Sequence, residues 1–261
     1  MFTYPEFDSI ALQLGPLAIR WYGLMYVIGI LGGWWLGRVQ ARRPWSPVTV
    51  VQVDDMVTWI ALGVILGGRV GSVLFYNFGD FIADPLMIFQ IWKGGMSFHG
   101  GFLGVLIAMW WFGRRNDLTF FKLTDFIAPL IPLGLGAGRV GNFINNELWG
   151  KPTEVPWGVV VNGQARHASQ LYEAFLEGFC LLLLLWFFAA KPRPRRAVSG
   201  LFLLGYGCAR FAVEFVRVPD AHIGYMAWGW LTRGQLLTAP MILGGIVLLY
   251  LAYGRQQTSS A

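Results

Sequence analysis

The chain alternates between long apolar stretches and short polar ones, and the apolar stretches have the length of membrane crossings. Seven stand out, over residues 17–39, 50–77, 96–113, 122–146, 169–190, 198–217 and 233–253. A helical crossing needs about 20 predominantly apolar residues. The pattern therefore predicts an all-α integral membrane protein with about seven transmembrane helices, forming a single polytopic membrane domain over residues 1–261. The second stretch is long for one crossing and holds Arg69 among Gly67, Gly68 and Gly71, so a tilt or kink is expected there. Residues 78–95, 147–168 and 218–232 are rich in glycine, proline or aromatics. They are expected to be irregular re-entrant or interfacial segments. No tandem or inverted repeat of the kind many transporters carry is visible.

Composition strengthens this picture. Apolar residues make up 56% of the chain and charged residues 13%, against about 25% charged in an ordinary soluble domain. Thirty-four glycines suit helices packed closely in lipid, and thirteen tryptophans suit anchoring at the two interfaces. The formal charge of +6 reads as a topology signal rather than as a nucleic-acid surface, and no nucleic-acid partner is expected. One set of loops holds eleven basic residues: Arg38, Arg42, Arg43, Arg114, Arg115, Lys122, Lys191, Arg193, Arg195, Arg196 and Arg255. The opposite set holds six: Arg20, Lys93, Lys151, Arg166, Arg217 and Arg233. The richer side is expected to be cytoplasmic, which puts the N-terminus outside and the C-terminus inside. This makes 78–95, 147–168 and 218–232 the non-cytoplasmic segments. Glu6 and Asp8 precede the first apolar stretch where a signal peptide would have basic residues. That stretch is expected to be a permanent anchor.

Within this apolar background the polar residues are few enough to weigh one by one. Gly138-Arg139-Val140-Gly141-Asn142-Phe143-Ile144-Asn145-Asn146-Glu147 closes the fourth stretch. Charges inside the hydrocarbon are costly and usually face a cavity. A guanidinium fork beside amides suits a phosphate or a carboxylate. Arg139, Asn142 and Asn146 are spaced to share a helix face, as are Tyr206, Arg210 and Glu214 in the sixth stretch. His99 opens the third stretch, and Gln170, Tyr172 and Glu173 open the fifth. Together these residues point to an anion-binding cavity opening outward.

Each has a structural alternative. Arg210 and Glu214 can form an internal ion pair, Glu147 can pair with Arg139 or cap backbone groups, and Arg69 can be satisfied by carbonyls. His99 can be a structural hydrogen-bonder, Tyr22 an interfacial aromatic, and Glu173 and Glu177 inter-helix bonds. Cys180 and Cys208 lie in apolar stretches and read as packing residues. His99, His167 and His222 have no metal-ligand spacing, so no metal site is expected. A channel or transporter for an anionic solute, or a non-catalytic assembly factor, would use similar residues. A transporter would show polar positions through the full depth of the bilayer, whereas here they gather toward the outer half.

Several separated motifs, in order, resemble the prolipoprotein diacylglyceryl transferase family. They are Arg20-Trp21-Tyr22-Gly23-Leu24-Met25-Tyr26, Ser97-Phe98-His99-Gly100-Gly101, and the stretch from Gly138 to Glu147. Ser169-Gln170-Leu171-Tyr172-Glu173 and Tyr206-Gly207-Cys208-Ala209-Arg210-Phe211-Ala212-Val213-Glu214-Phe215 follow. One departure is Ala168, where the family often has proline before the serine; it bears only on how that helix starts.

The resemblance covers nearly the whole chain. It implies a bacterial cytoplasmic (inner) membrane enzyme of lipoprotein maturation. Such an enzyme takes the diacylglyceryl group from phosphatidylglycerol and joins it by a thioether to the lipobox cysteine of a prolipoprotein signal peptide, releasing glycerol phosphate. No cofactor or metal is implied. The implied catalytic residues are His99, Arg139, Arg210, Tyr22 and Glu147, with His99 as candidate base and an arginine or the substrate phosphate as the alternative proton acceptor. Arg139, Asn142, Arg210, Tyr206 and Glu214 are implied to bind phosphatidylglycerol.

Overall fold

A computed structural model describes residues 1–15, 17–90, 95–219 and 224–254. It is mostly helical. The helices are α1 (Trp21–Ala41), α2 (Val50–Tyr76), α3 (Phe78–Ala83), α4 (Phe98–Arg115), α5 (Phe120–Ile127) and α6 (Ile131–Ile144). After them come α7 (Ser169–Phe188), α8 (Ala197–Glu214) and α9 (Arg233–Gly254). Among the described residues, α2, α7, α8 and α9 are long and apolar enough to cross a membrane. Helices α5 and α6 add a fifth crossing if they are taken as one broken span, bent by 47°. Pro129 and Pro132 stand at that break, where proline removes helical donors. The seven-span reading needs α1 and α4 as well. Neither is among the helices apolar enough to count as a candidate crossing.

The chain groups into two compact units, one made of Met1–Leu36 with Thr124–Ala261, the other of Gly37–Leu123. In the second unit α2 runs unbroken to Tyr76, starting from a Thr49 cap that closes a reciprocal box with Gln52. It packs on α4 through glycines. A methyl at Gly71 would stand 2.6 Å from Gly100 Cα, and one at Gly63 would stand 2.7 Å from the Gly104 carbonyl oxygen. Backbone lies against backbone there, as small residues permit in lipid. Arg69 is buried and donates to the carbonyls of Met87, Ile88 and Gly95. It thus ties the segment after α3, which includes a 3-10 turn over Pro85–Phe89, to α2. This is the carbonyl-satisfied role open to it from the sequence.

The first unit carries short strands where the sequence reading had helix or irregular chain. β1 is Phe2–Thr3, β2 Ile10–Leu14, β3 Leu17–Arg20, β4 Val159–Val161 and β5 Gln164–Arg166. β2 and β3 form an antiparallel pair, so the first helix begins at Trp21 rather than at residue 17. β4 and β5 are antiparallel, with β1 parallel to β4. Asn162 and Gly163 both have positive φ at the turn, the Asn-Gly signature of a tight hairpin. The segment 147–168 is thus partly ordered as a hairpin. The expected segments 78–95 and 218–232 include residues 91–94 and 220–223, which lie outside the described residues. Lys93, His222 and Arg255 lie outside them as well.

Tyr4, Val159, Val161 and Ala168 form one core cluster with Phe143 and Trp149 packed against it. The Tyr4 hydroxyl reaches the carbonyls of Phe143 (2.9 Å) and Ile144 (3.0 Å), closing the end of α6. A second cluster joins Ala128 to Leu181, Leu185, Ala189 and Val198, with Tyr206 at its margin.

Candidate functional site

The end of α6, the start of α7 and the end of α8 converge within the first unit, and Glu173 is their meeting point. Its side chain is fully buried. Oε2 lies 2.9 Å from Arg139 Nε of α6. Oε1 pairs with Arg210 of α8 and lies 2.7 Å from Arg217 Nη1, just past the end of α8. One carboxylate thus holds three guanidinium groups. Glu214 adds a second tether, with Oε2 at 2.9 Å from Arg210 Nη2 and 3.4 Å from Arg217 Nε. Glu177 is also fully buried, 4.0 Å from Arg210 Nη1, and its oxygens have no hydrogen-bond partner among the described residues.

Local structure explains the convergence. Residues Ala174–Cys180 form a π-helical stretch inside α7, an insertion that recurs at functional sites. Gly178 in that stretch meets Gly136 of α6 so closely that a methyl at 178 would stand 2.6 Å from Gly136 Cα. The approach brings Glu173 of one helix to Arg139 of the other. Helix α7 begins at Ser169 although Ala168 replaces the proline. Ser169 donates to the Leu148 carbonyl at 2.9 Å, and the Gln170 amide to the Glu147 carbonyl. Gly150 bridges to Arg217, and a methyl there would stand 2.6 Å from the Val216 carbonyl oxygen. The segment after α6 is therefore fastened to the segment after α8.

The sequence candidates divide between the two units. Arg139, Asn142, Glu147, Tyr206, Arg210, Glu214 and Tyr22 all belong to the first. Asn142 donates to Glu147 Oε1 at 2.8 Å, and its carbonyl oxygen accepts from Arg139 Nη1 at 3.5 Å. Glu147 makes no ion pair with an arginine among the described residues; it binds the Asn142 and Asn145 amides instead. Tyr22 and Tyr26 hydroxyls are 3.3 Å apart. A methyl at Gly141 would stand 3.0 Å from the Tyr22 ring, so this glycine lets Tyr22 lie against α6. Tyr206 stacks on Phe202 with ring centres 5.9 Å apart.

Asn146 does not share the helix face. Helix α6 ends at Ile144, and Asn146 sits beyond it with positive φ, accepting from the Trp149 indole. His99 and Arg69 belong to the second unit. His99 is exposed in the first turn of α4, whose cap is Ser97. Within the first unit, the candidates Arg139, Arg210 and Glu214 join a network built on Glu173.

Arg217 was missed by the sequence reading, which counted it among loop charges. Its signal is the i,i+3 spacing from Glu214. The arginine side chains keep 15–23% of their surface while Glu173 has none. Buried carboxylates thus stand behind partly open guanidinium groups, and Arg139 has donors left over. Such an arrangement can hold an oxyanion and stabilise charge that develops on it.

Comparison with known proteins bears on which oxyanion. The family model described as prolipoprotein diacylglyceryl transferase matches residues 9–251. The phosphatidylglycerol--prolipoprotein diacylglyceryl transferase of Pseudomonas paraeruginosa is 60% identical over 258 residues, covering 98% of this chain and 97% of that protein. The same-named protein of Pseudomonas fluorescens is 57% identical over 267 residues, covering 100% and 99%. That of Pseudomonas syringae pv. syringae is 56% identical over 266 residues, covering 100% and 98%. With the match spanning both units and every motif of the arginine network, this chain belongs to the prolipoprotein diacylglyceryl transferase family.

Proposed function

We propose that this protein transfers the diacylglyceryl group of phosphatidylglycerol to the lipobox cysteine of prolipoproteins. The sulfur attacks the glycerol carbon that carries the phosphate. The carbon–oxygen bond breaks, its electron pair leaves with glycerol phosphate, and a thioether remains. The observation that carries the reading is the trio of arginines on Glu173 within a chain of this family. Arg139 and Arg210 hold the phosphodiester and stabilise the charge that grows as it departs. Asn142 adds an amide donor. Glu214 orients Arg210, and Glu147 orients Asn142. Tyr22 and Tyr206 position the headgroup or the peptide.

The thiolate is the nucleophile, and a free thiol with a pKa near 8.5 is mostly protonated at neutral pH. His99 accepts that proton. The enzyme is a seven-span protein of the bacterial cytoplasmic (inner) membrane, with its N-terminus outside. Both substrates, the membrane lipid and the signal peptide, reach it laterally within the bilayer.

The test is to incubate the purified protein with phosphatidylglycerol and a lipobox peptide and to weigh the peptide by mass spectrometry. A diacylglyceryl adduct that disappears with a Cys→Ser peptide is expected. No adduct from folded, lipid-supplied protein overturns the reading and directs attention to anion flux in liposomes. His99→Gln is expected to lower turnover at neutral pH by about a hundredfold; near-normal turnover removes His99 as the base.

A further inference from the structure

We infer that Thr232 and Gly234, at the start of α9, are positioning residues that fix the Glu214 carboxylate and through it aim Arg210 and Arg217. The functional consequence rests on the transferase reading; the geometry stands by itself. Thr232-Arg233-Gly234-Gln235 forms a reciprocal helix cap. The Gln235 side-chain oxygen accepts from Thr232 N at 3.0 Å, and Thr232 Oγ1 accepts from Gln235 N at 3.2 Å. The same hydroxyl donates to Glu214 Oε1 at 2.9 Å. A hydroxyl has one proton and two acceptor sites, so Thr232 caps α9 and binds Glu214 at once. The two Glu214 oxygens thereby have separate tasks. Oε1 is tied to Thr232, and Oε2 faces Arg210 and Arg217. The α9 N-terminus also favours a carboxylate beside it.

Gly234 supplies the room. A methyl there would stand 2.5 Å from Glu214 Cδ, 2.5 Å from Oε1 and 2.9 Å from Oε2. Its φ is not among the positive values of the chain, so helix geometry does not demand glycine at this position. What demands it is the carboxylate. The obstructed atoms are the end of a flexible side chain rather than backbone. A methyl at 234 therefore displaces Glu214 and leaves the fold standing. The arginines lose one of their two tethers, while Glu173 continues to hold them.

The experiment is a cycle of Gly234→Ala, Glu214→Asp and the double variant, with Thr232→Ser and Thr232→Val alongside. Each is measured for kcat/KM of diacylglyceryl transfer and for thermal unfolding in lipid. Gly234→Ala is expected to insert and fold yet lose roughly tenfold in kcat/KM, since small misplacements of catalytic groups are costly. The shorter side chain of Glu214→Asp makes space for the new methyl. The double variant is therefore expected to keep more activity, and a higher unfolding temperature, than the two single losses combined would leave. Thr232→Ser retains activity and Thr232→Val loses it. Additive losses, an unaffected Gly234→Ala or equal effects of serine and valine overturn the inference. If the wild-type protein transfers nothing, the transferase reading falls. The unfolding cycle then decides the placement alone, coupling supporting it and additivity overturning it.

Discussion

Glu173 is the residue on which the site turns. A carboxylate with no exposed surface carries a large desolvation cost unless it is paired. Here three guanidinium groups share that role. Removing the charge leaves three partly buried cations facing one another around a neutral amide. Glu173→Gln preserves shape and deletes only the charge. It is expected to destabilise the protein by roughly 3 kcal/mol, the lower end of what a broken buried pair costs, and to reduce transfer to background. Thermal unfolding and the adduct assay check it, and a variant with wild-type values in both would show that the arginines are held by other means. Much of this site was legible in the sequence. Arg139, Asn142, Arg210 and Glu214 stand out because apolar helices make every polar residue conspicuous. The keystone role of Glu173 was not legible, because periodicity reports which face a residue shares on its own helix and not what faces it from two others. Arg217 was hidden for a related reason: just past a span, it counts as an ordinary loop charge until tertiary structure turns it inward.

At the scale of elements, the site depends on how closely α6 and α7 approach. Gly136 and Gly178 make that contact, with backbone on both sides. Lipid tails are as apolar as the helix faces, so close van der Waals packing is what holds such helices together. Gly178→Ala places a methyl 2.6 Å from Gly136 Cα, and no side chain can swing away to receive it. The helices must separate, and Arg139 moves away from Glu173. A cost of about 1–3 kcal/mol is expected from overpacking, together with loss of transfer. Gly138 is the control, since nothing lies within 4 Å of a methyl there; Gly138→Ala is expected to keep wild-type stability. Equal stability of the two variants would count against this contact as the site's spacer. The sequence marked the helices through their apolar runs but placed the first start too early. The strand pair β2–β3 precedes α1, and its alternation was absorbed into an apolar run. The hairpin β4–β5 was likewise passed over, although Val159-Val160-Val161-Asn162-Gly163 carries its turn signal.

Across the whole molecule, the remaining question is which side of the membrane the arginine network faces. The loops divide eleven basic residues against six. Arg217 belongs to the lesser six, yet it is paired with Glu173 and Glu214 rather than exposed in a loop. Arg38, one of the eleven, is likewise paired, with Asp54; setting both aside leaves ten against five, an excess in the same direction as the full tally. The proposed reaction, on a lipobox cysteine at the outer face, predicts an outward-facing network together with a cytoplasmic Lys191–Arg196 loop. Cysteines introduced at Glu154 and at Lys191, both exposed, test this in a Cys180→Ser, Cys208→Ser background. A maleimide that cannot cross the inner membrane is expected to label position 154 in intact spheroplasts, and position 191 only after lysis. The reverse pattern would invert the topology and place the arginines where a secreted cysteine cannot reach them, so the assay bears on the proposed chemistry as directly as on the fold.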